Sequence, residues 1–442
     1  MSQRLSIAII GGGASGVLLA AHLLRDPAAD IRVTLIEKRD ELGRGVAYSA
    51  RQWDHLLNVP ASGMSAFADD PEHFWRWLLA KQLVADGNRF VFLPRRIYGA
   101  YLSDVLAGGR DERLRIIHDT ATGLKATASG VEVSLENGTS LVGHVAVLAV
   151  GHEENAPRAK GIAVRVGSPE DTPLDRDAEV MILGSGLSMV DAWLSLSQAD
   201  HRGPITVVSR HGLLPKSHRE AGKIELDAAD VPFGTELHYF TEWFRDVVEE
   251  VHGRGGNWRS VVDALRPFNQ RIWQNWSIAS KKRFLEHVRP FWNIHRHRLP
   301  PELHARMKGA VKSGQVRLVA GKFIDLDRNG QRVDARVRRR GLANETVISV
   351  DRVYDCGGVT VDVTKSSNPV VRELIAAGAA RADELRIGLD VTVDCAVIDA
   401  GGAASNRVFA VGPLTRGQFF EIEAVPDIRL QVAGLASRLL KA

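Results

Sequence analysis

Cysteine is scarce: Cys356 and Cys395 are the only two in 442 residues. That excludes a disulfide framework and a four-thiolate zinc site, and it suits a reducing compartment. Charge of one sign is lacking too. Lys and Arg number 57 against 53 Asp and Glu, a formal net charge of +4. Nucleic-acid binding needs clustered positive charge, and so small an excess gives no such footprint. The densest run, Arg338, Arg339 and Arg340, reads as a solvated strand end or turn. No apolar run approaches the ~18–20 residues of a membrane span. The chain starts Met-Ser-Gln-Arg and enters a strand-like segment without a signal-peptide cleavage site, so a cytoplasmic location without membrane or nucleic-acid partners is expected. A Gly-x-Ser-x-Gly elbow is missing, which leaves a hydrolase unsupported, and no glycine run ends in the Gly-Lys-Ser/Thr of an NTPase phosphate loop.

What is present is a globular chain, 45% hydrophobic, long enough for two or three domains. Leu5 to Ile10 is an apolar run suited to a strand buried on both faces. It leads into Gly11-Gly12-Gly13-Ala14-Ser15-Gly16, then a helix-like stretch to Leu24 and a second strand, Ile31 to Ile36, ending at Glu37. In strand, Gly-x-Gly-x-x-Gly, helix, strand, acid, each position has a task. Gly11 permits the tight turn, Gly13 lets the backbone approach a pyrophosphate at the positive helix end, and Gly16 permits close helix–strand packing. Glu37 stands where an acid accepts from ribose hydroxyls.

The pattern recurs. Val180 to Leu183 precedes Gly184-Ser185-Gly186-Leu187-Ser188-Met189, and Ile205 to Val208 ends at Ser209 and Arg210. Gly11 to Glu37 and Gly184 to Arg210 are both 26 positions. An arginine in place of the acid attracts a 2′-phosphate, which favours NADPH over NADH; a solvated strand-end cation is the other reading. Met189 replaces the third glycine. FAD on the first cradle and a nicotinamide nucleotide on the second are expected.

Val145 to Gly151 reads as the strand that leaves the first domain, and His152 to Asp177 as a connector. Val353 to Gly358 reads as the return crossing. Val408 to Gly412 reads as a last strand before a turn and a helical stretch, Glu421 to Leu440. The expected fold is α/β with two Rossmann-like, three-layer dinucleotide-binding domains. The FAD domain, 1–155 and 345–442, is discontinuous, and the nucleotide domain spans 176–344 with a helical insert at about 213–305.

Several motifs are similar to those of the FAD/NAD(P)-binding proteins related to flavin-containing and N-hydroxylating monooxygenases. They are Gly43 to Ser49, His55 to Ala61 with Met64 to Phe67, Asp69 to Pro71, Gly184 to Ala192, Ser209 to Pro215, His295 to Pro301, and Gly412 to Gly417 leading to Glu423 to Pro426. The resemblance spans nearly the whole chain and is weakest over about 215–290. With the first fingerprint, it gives the FAD contacts expected here: Gly11, Gly13, Ser15, Gly16, Glu37, Lys38, Arg44, Gly45, Asn58, Gly412 and Thr415. The second cradle supplies Gly184, Gly186, Ser188, Ser209 and Arg210 for NADP. The resemblance implies an NADPH-using monooxygenase that oxygenates a nitrogen or sulfur nucleophile of a small molecule through a C4a-hydroperoxyflavin. Asn58 is then an amide beside the flavin ring, or else the maker of an ordinary loop hydrogen bond. A flavin-dependent amine dehydrogenase or oxidase and a low-turnover redox sensor are the rival readings.

Related thiol–disulfide reductases place a cysteine pair near the flavin, and nothing like it occurs here; Cys356 and Cys395 read as core residues. His295, His297 and His304 invite a metal reading, but His-x-His shares a face only on a strand, and no carboxylate sits at ligand spacing, so no metal is expected. Arg296 and Arg298 are open between binding an anionic group and forming a basic loop. Five of the nine tryptophans, Trp243, Trp258, Trp273, Trp276 and Trp292, fall in the insert, with Phe268, Ile272, Trp276 and Ala279 at helical spacing. Such a stretch is a cap over the flavin, the insert's own core, or a homodimer face.

Overall fold

The computed structural model describes residues 4–50, 52–153, 161–358 and 362–441. Residues 154–160, part of the expected connector, and 1–3, at the expected start, lie outside them. The strands in chain order are β1 (Leu5–Ile10), β2 (Ile31–Ile36), β3 (Leu114–Ile117), β4 (Ala121–Ala126) and β5 (Val131–Leu135). Next come β6 (Ser140–Gly143), β7 (Val145–Leu148), β8 (Val180–Leu183), β9 (Ile205–Ser209) and β10 (Val316–Asn329). The last are β11 (Arg332–Arg339), β12 (Glu345–Val350), β13 (Arg352–Asp355), β14 (Ala396–Ile398) and β15 (Ala404–Ala410). Two units result: Met1–Glu153 with Phe268–Ile278 and Thr360–Ala442, and Glu154–Pro267 with Ala279–Val359.

The first unit is built on a sheet ordered β14-β15-β7-β1-β2-β3, parallel except for β14 at its edge. Alternation along β1 shows why these residues form a central strand. Ile7 and Ile9 enter one core with the helix Ala14–Leu24 and the buried Tyr98 and Tyr101 of the helix Arg95–Gly108. Ala8 and Ile10 enter the other, with Leu124, Val131 and Val133 of the antiparallel sheet β4-β5-β6. Both faces are covered, so β1 is apolar at every position from Ile7 to Ile10, as a doubly buried parallel strand must be. Each fully buried Ile or Leu contributes about 1.5–3 kcal/mol.

The second unit has the sheet order β12-β11-β10-β9-β8-β13. β10 serves two purposes. Val316 to Ala320 pair parallel with β9, and Gly321 to Asn329 pair antiparallel with β11. The sequence shows only the first four residues of this fourteen-residue strand, because its second half alternates charged and apolar residues. The first unit resumes at Thr360 rather than at the expected position 345, because β12 pairs with β11 and β13 pairs parallel with β8.

The expected insert is helical, with helices Leu237–Gly253, Trp258–Ala264, Asn269–Asn275 and Arg289–Arg296 among its elements. The stripe through Phe268, Ile272, Trp276 and Ala279 is not one helix. It stops at Trp276, whose backbone is extended (φ −73°, ψ 144°), and Ile278–Arg283 starts a new helix. The Asn275 amide donates to Arg271 O at 2.8 Å, which closes the last turn. No described helix is long and apolar enough to cross a membrane.

Candidate functional site

The two glycine turns share one backbone geometry. Gly11 has φ +110° and Gly184 φ +104°, values that favour glycine. Gly13 (φ −72°, ψ −167°) and Gly186 (φ −84°, ψ −163°) are the N-caps of Ala14–Leu24 and Leu187–Gln198, and neither helix has a side-chain cap. Uncapped first-turn amides at the positive end of a helix form a phosphate-binding surface. At Gly16 a Cβ would lie 1.9 Å from Gly11 O, so the helix can cross the strand this closely only with glycine there. Met189 takes the corresponding place in the second cradle and is fully buried.

In the first unit the turn opens on a cavity of about 350 Å³. Gly11, Gly13, Ser15, Glu37, Lys38, Arg44 and Gly45 line it, as the sequence expects of cofactor contacts. Glu37 also ties the turn: Oε2 accepts from Gly12 N at 2.8 Å and Oε1 from Arg39 N at 3.1 Å. Each oxygen keeps a lone pair for a ribose hydroxyl. Gly16, Gly412 and Thr415 are not among the lining residues. Thr415 Oγ1 donates to Gly412 O at 2.8 Å and accepts from Gln431 Nε2 at 2.9 Å, which braces the turn that presents Pro413, Leu414 and Arg416 to the cavity. Asn58 is half-buried, outside that lining, on a segment whose Leu57 and Ala61 amides donate to Leu93 O and Val91 O at 2.8 and 2.9 Å.

Sequence reasoning missed a polar group on the same wall. His152, Arg416 and Glu423 line the cavity, with Arg416 Nη1 3.3 Å from Glu423 Oε1. Burial holds the His152 imidazole below its ordinary range, and Glu423 opposes that shift. Among the described residues, His152 Nδ1 and Arg44 Nε are buried without a hydrogen-bond partner. A buried polar atom without a partner is costly, so these atoms are suited to a polar ligand in the cavity. Uncapped helix amides, an acid at the end of β2 and these two nitrogens fit a dinucleotide such as FAD. Beside them, Glu153 accepts from Ser366 Oγ at 2.6 Å and from Ser367 N; burial works against its charge, but these donors hold the carboxyl below the usual range.

In the second unit Ser185 Oγ donates to Ser209 Oγ at 2.9 Å, and Ser209 Oγ accepts from Gly212 N at 3.0 Å. Gly186, Ser188 and Arg210 are exposed beside this turn. Arg340, from the run read as a solvated strand end, has Nη1 2.7 Å from His211 Nδ1. Burial, then Arg340 and Arg210, hold His211 below its ordinary range. Two guanidinium groups thus act on one neutral imidazole at the carboxyl end of β9, a strong attractor for a phosphate. Only tertiary structure reveals Arg340, since its amide reaches Ala320 O across the β10–β11 hairpin.

Cys356 packs in the second unit, its Sγ 3.4 Å from Ser188 O, and burial pushes the thiol up to about 12. Cys395 is buried and likewise pushed up to about 12. Neither is a thiolate at neutral pH. Arg298 is buried and forks onto Asp263, so its charge is neutralised. His295 Nδ1 donates to Phe291 O and the ring packs edge-on to Trp258. Among the described residues, no group of three or more His, Cys, Asp or Glu is placed to hold a metal ion.

A family described as FAD-NAD(P)-binding matches residues 8–153. Comparison with curated protein sequences finds no match. Among solved structures, the chain is similar to the ornithine N-hydroxylase of Kutzneria sp. 744 (12% identity, 99% of each chain covered, TM-score 0.69). It is similar to the L-lysine 6-monooxygenase of Pseudomonas syringae (14%, 99% of each chain, TM-score 0.65). It is also similar to the thioredoxin reductase of Lactococcus lactis (11%, 99% of this chain and 98% of that one, TM-score 0.53). Residues 8–153 are thus similar to an FAD-NAD(P)-binding family, in a chain that takes the fold of two Rossmann-like dinucleotide-binding domains seen in these structures.

Proposed function

We propose that this protein is an FAD-dependent, NADPH-using oxidoreductase, and specifically a monooxygenase that oxygenates a nitrogen nucleophile of a small molecule. The observation that carries the reading is the pairing of two matching glycine cradles with opposite charge at the end of the following strand. Glu37 follows the first, and Arg210 with Arg340 the second. An acid suits ribose hydroxyls, and guanidinium groups suit a 2′-phosphate. The neighbours of similar fold include an ornithine N-hydroxylase and an L-lysine 6-monooxygenase, and ornithine and lysine both carry a terminal amine.

FAD supplies the hydride acceptance and oxygen activation when bound; the protein binds, orients and keeps the site dry. The uncapped positive end of the helix Ala14–Leu24 would hold the pyrophosphate. Glu37 holds the turn through Gly12 N while offering its remaining lone pairs. His152, kept neutral by burial, places a nitrogen without a protein partner on the cavity wall. Asn58 would stand as the amide beside the flavin ring, on a segment fixed through the Leu57 and Ala61 amides.

Cys356, half-buried, and Cys395, buried, sit on separate elements with thiols pushed up to about 12, and offer no dithiol for the reductase chemistry of the thioredoxin-reductase neighbour. The test is aerobic NADPH oxidation by the flavin-loaded protein with a panel of terminal amines. The reading expects at least one amine to gain a single oxygen atom in step with NADPH consumed. Amine oxidation to an aldehyde without NADPH would favour the dehydrogenase or oxidase reading instead.

A further inference from the structure

Apart from its glycine cradle, the second unit holds a cavity of about 330 Å³ with a basic wall. Lys216 and Arg219 come from the chain after β9, Arg259 from the helix Trp258–Ala264, and His304 and Lys308 from the helix Pro301–Lys312. Leu214, Met307 and Val311 supply an apolar base. The wall is fixed from several sides. Lys216 N donates to Ile294 O at 2.9 Å and Leu299 N to Lys216 O at 2.8 Å. Arg259 Nε and Nη2 both donate to Ser217 O, at 3.0 and 2.8 Å.

Among the described residues, no carboxylate forms an ion pair with Lys216, Arg219, Arg259 or Lys308, and the nearby Asp263 is taken by the buried Arg298. Burial, then Lys308, Lys216, Arg259 and Arg219, hold His304 below its ordinary range, so all four cations act at one point. Burial and the neighbouring Arg298 and Arg219 also lower the proton affinity of Arg259, against a smaller opposing effect of Asp263. Four permanent cations around one concavity raise the local concentration of anions. A carboxylate would neutralise one of the four. A phosphomonoester dianion neutralises two and offers three acceptor oxygens to ammonium and guanidinium donors.

We propose that this cavity binds a phosphomonoester, held by Lys216, Arg219, Arg259 and Lys308. The phosphate is that of a phosphorylated small molecule separate from the nicotinamide nucleotide, whose 2′-phosphate is proposed to meet Arg210 and Arg340 instead. The proposal does not depend on the oxidoreductase reading, because its readout is equilibrium binding rather than turnover.

The experiment titrates inorganic phosphate into the full chain by calorimetry at constant ionic strength, then into Arg219→Gln, Lys308→Gln and the remote charge control Lys125→Gln. Arg219, Lys308 and Lys125 are all exposed, so the variants keep their packing. Saturable phosphate binding is expected, weakened about tenfold or more by Arg219→Gln and by Lys308→Gln and unchanged by Lys125→Gln. Repeating the titration with NADP⁺ or NAD⁺ present identifies the source. Undiminished phosphate binding with NADP⁺ present supports a separate ligand, and competition by NADP⁺ but not NAD⁺ would overturn the proposal in favour of the nucleotide's own 2′-phosphate. No saturable binding, or equal weakening by the control, would overturn the proposal.

Discussion

Trp273 donates its indole N–H to Gly417 O at 2.8 Å and stacks on Phe420 with ring centroids 4.5 Å apart. The same helix sends Gln270 Nε2 to Phe420 O at 2.6 Å and Asn269 Nδ2 to Glu421 Oε2 at 3.0 Å. These side chains fix the stretch of chain that presents Arg416 and Glu423 to the cavity of the first unit. The tryptophan read from the sequence as cap, core or dimer face therefore braces the proposed cofactor wall. Trp273→Phe keeps most of the packing and removes the donor, at a cost of about 1–3 kcal/mol. Thermal unfolding is expected at lower temperature and the FAD dissociation constant several-fold higher, read by flavin fluorescence. An unchanged constant would show that the brace does not reach the site.

Gly13 and Gly16 separate binding from folding. A Cβ on Gly16 meets Gly11 O at 1.9 Å, whereas one on Gly13 finds nothing nearer than Gly45 Cα at 3.6 Å. Gly16→Ala is expected to destabilise the apoprotein by several kcal/mol, since backbone must move. Gly13→Ala is expected to leave apoprotein stability nearly unchanged and to weaken FAD tenfold or more, because the methyl group stands where the pyrophosphate approaches. Equal FAD affinity in wild type and Gly13→Ala would argue against this cradle.

Arg210 and Arg340 make a paired prediction at the second cradle. Arg210→Asp and Arg340→Gln are each expected to raise KM for NADPH about tenfold or more, the worth of a charge-assisted hydrogen bond. KM for NADH should move by less than about twofold, since no 2′-phosphate is present to lose a contact. Parallel changes with both nucleotides would leave Arg210 as a solvated strand-end cation.

Acid should destabilise the protein through its buried histidines. Burial holds His22, His152 and His201 below their ordinary range. In the unfolded chain each protonates near ~6.5. Their contribution is therefore fully present above that pH and is lost as the pH falls below it, because the unfolded state binds the protons first. Denaturant midpoints should fall as the pH drops below about 6.5. His152→Gln should flatten part of that slope.

Much of the fold is legible because its signals are local. Glycine turns, doubly apolar strands and a charged residue at a fixed offset lie within single stretches of chain, so both cradles, Glu37 and Arg210 can be read directly. Features assembled by long-range pairing cannot. Arg340 reaches His211 only through the β10–β11 hairpin, and His152 meets Arg416 and Glu423 only through the pairing of β15 with β7. The helix Asn269–Asn275 belongs with the first unit although the chain on both sides belongs with the second, which helical spacing alone does not reveal. Thr415 illustrates the reverse. The motif around it suggests a ligand contact, yet its hydroxyl is engaged by Gly412 and Gln431.

The most direct test of the central claim is anaerobic reduction of the flavin-loaded protein, followed by the visible flavin band in a stopped-flow instrument with NADPH and with NADH. The account predicts that NADPH bleaches the flavin rapidly, with or without an amine present, and that NADH does so far less efficiently. A flavin that stays oxidised with both nucleotides across the amine panel, and is bleached by an amine alone, would contradict it.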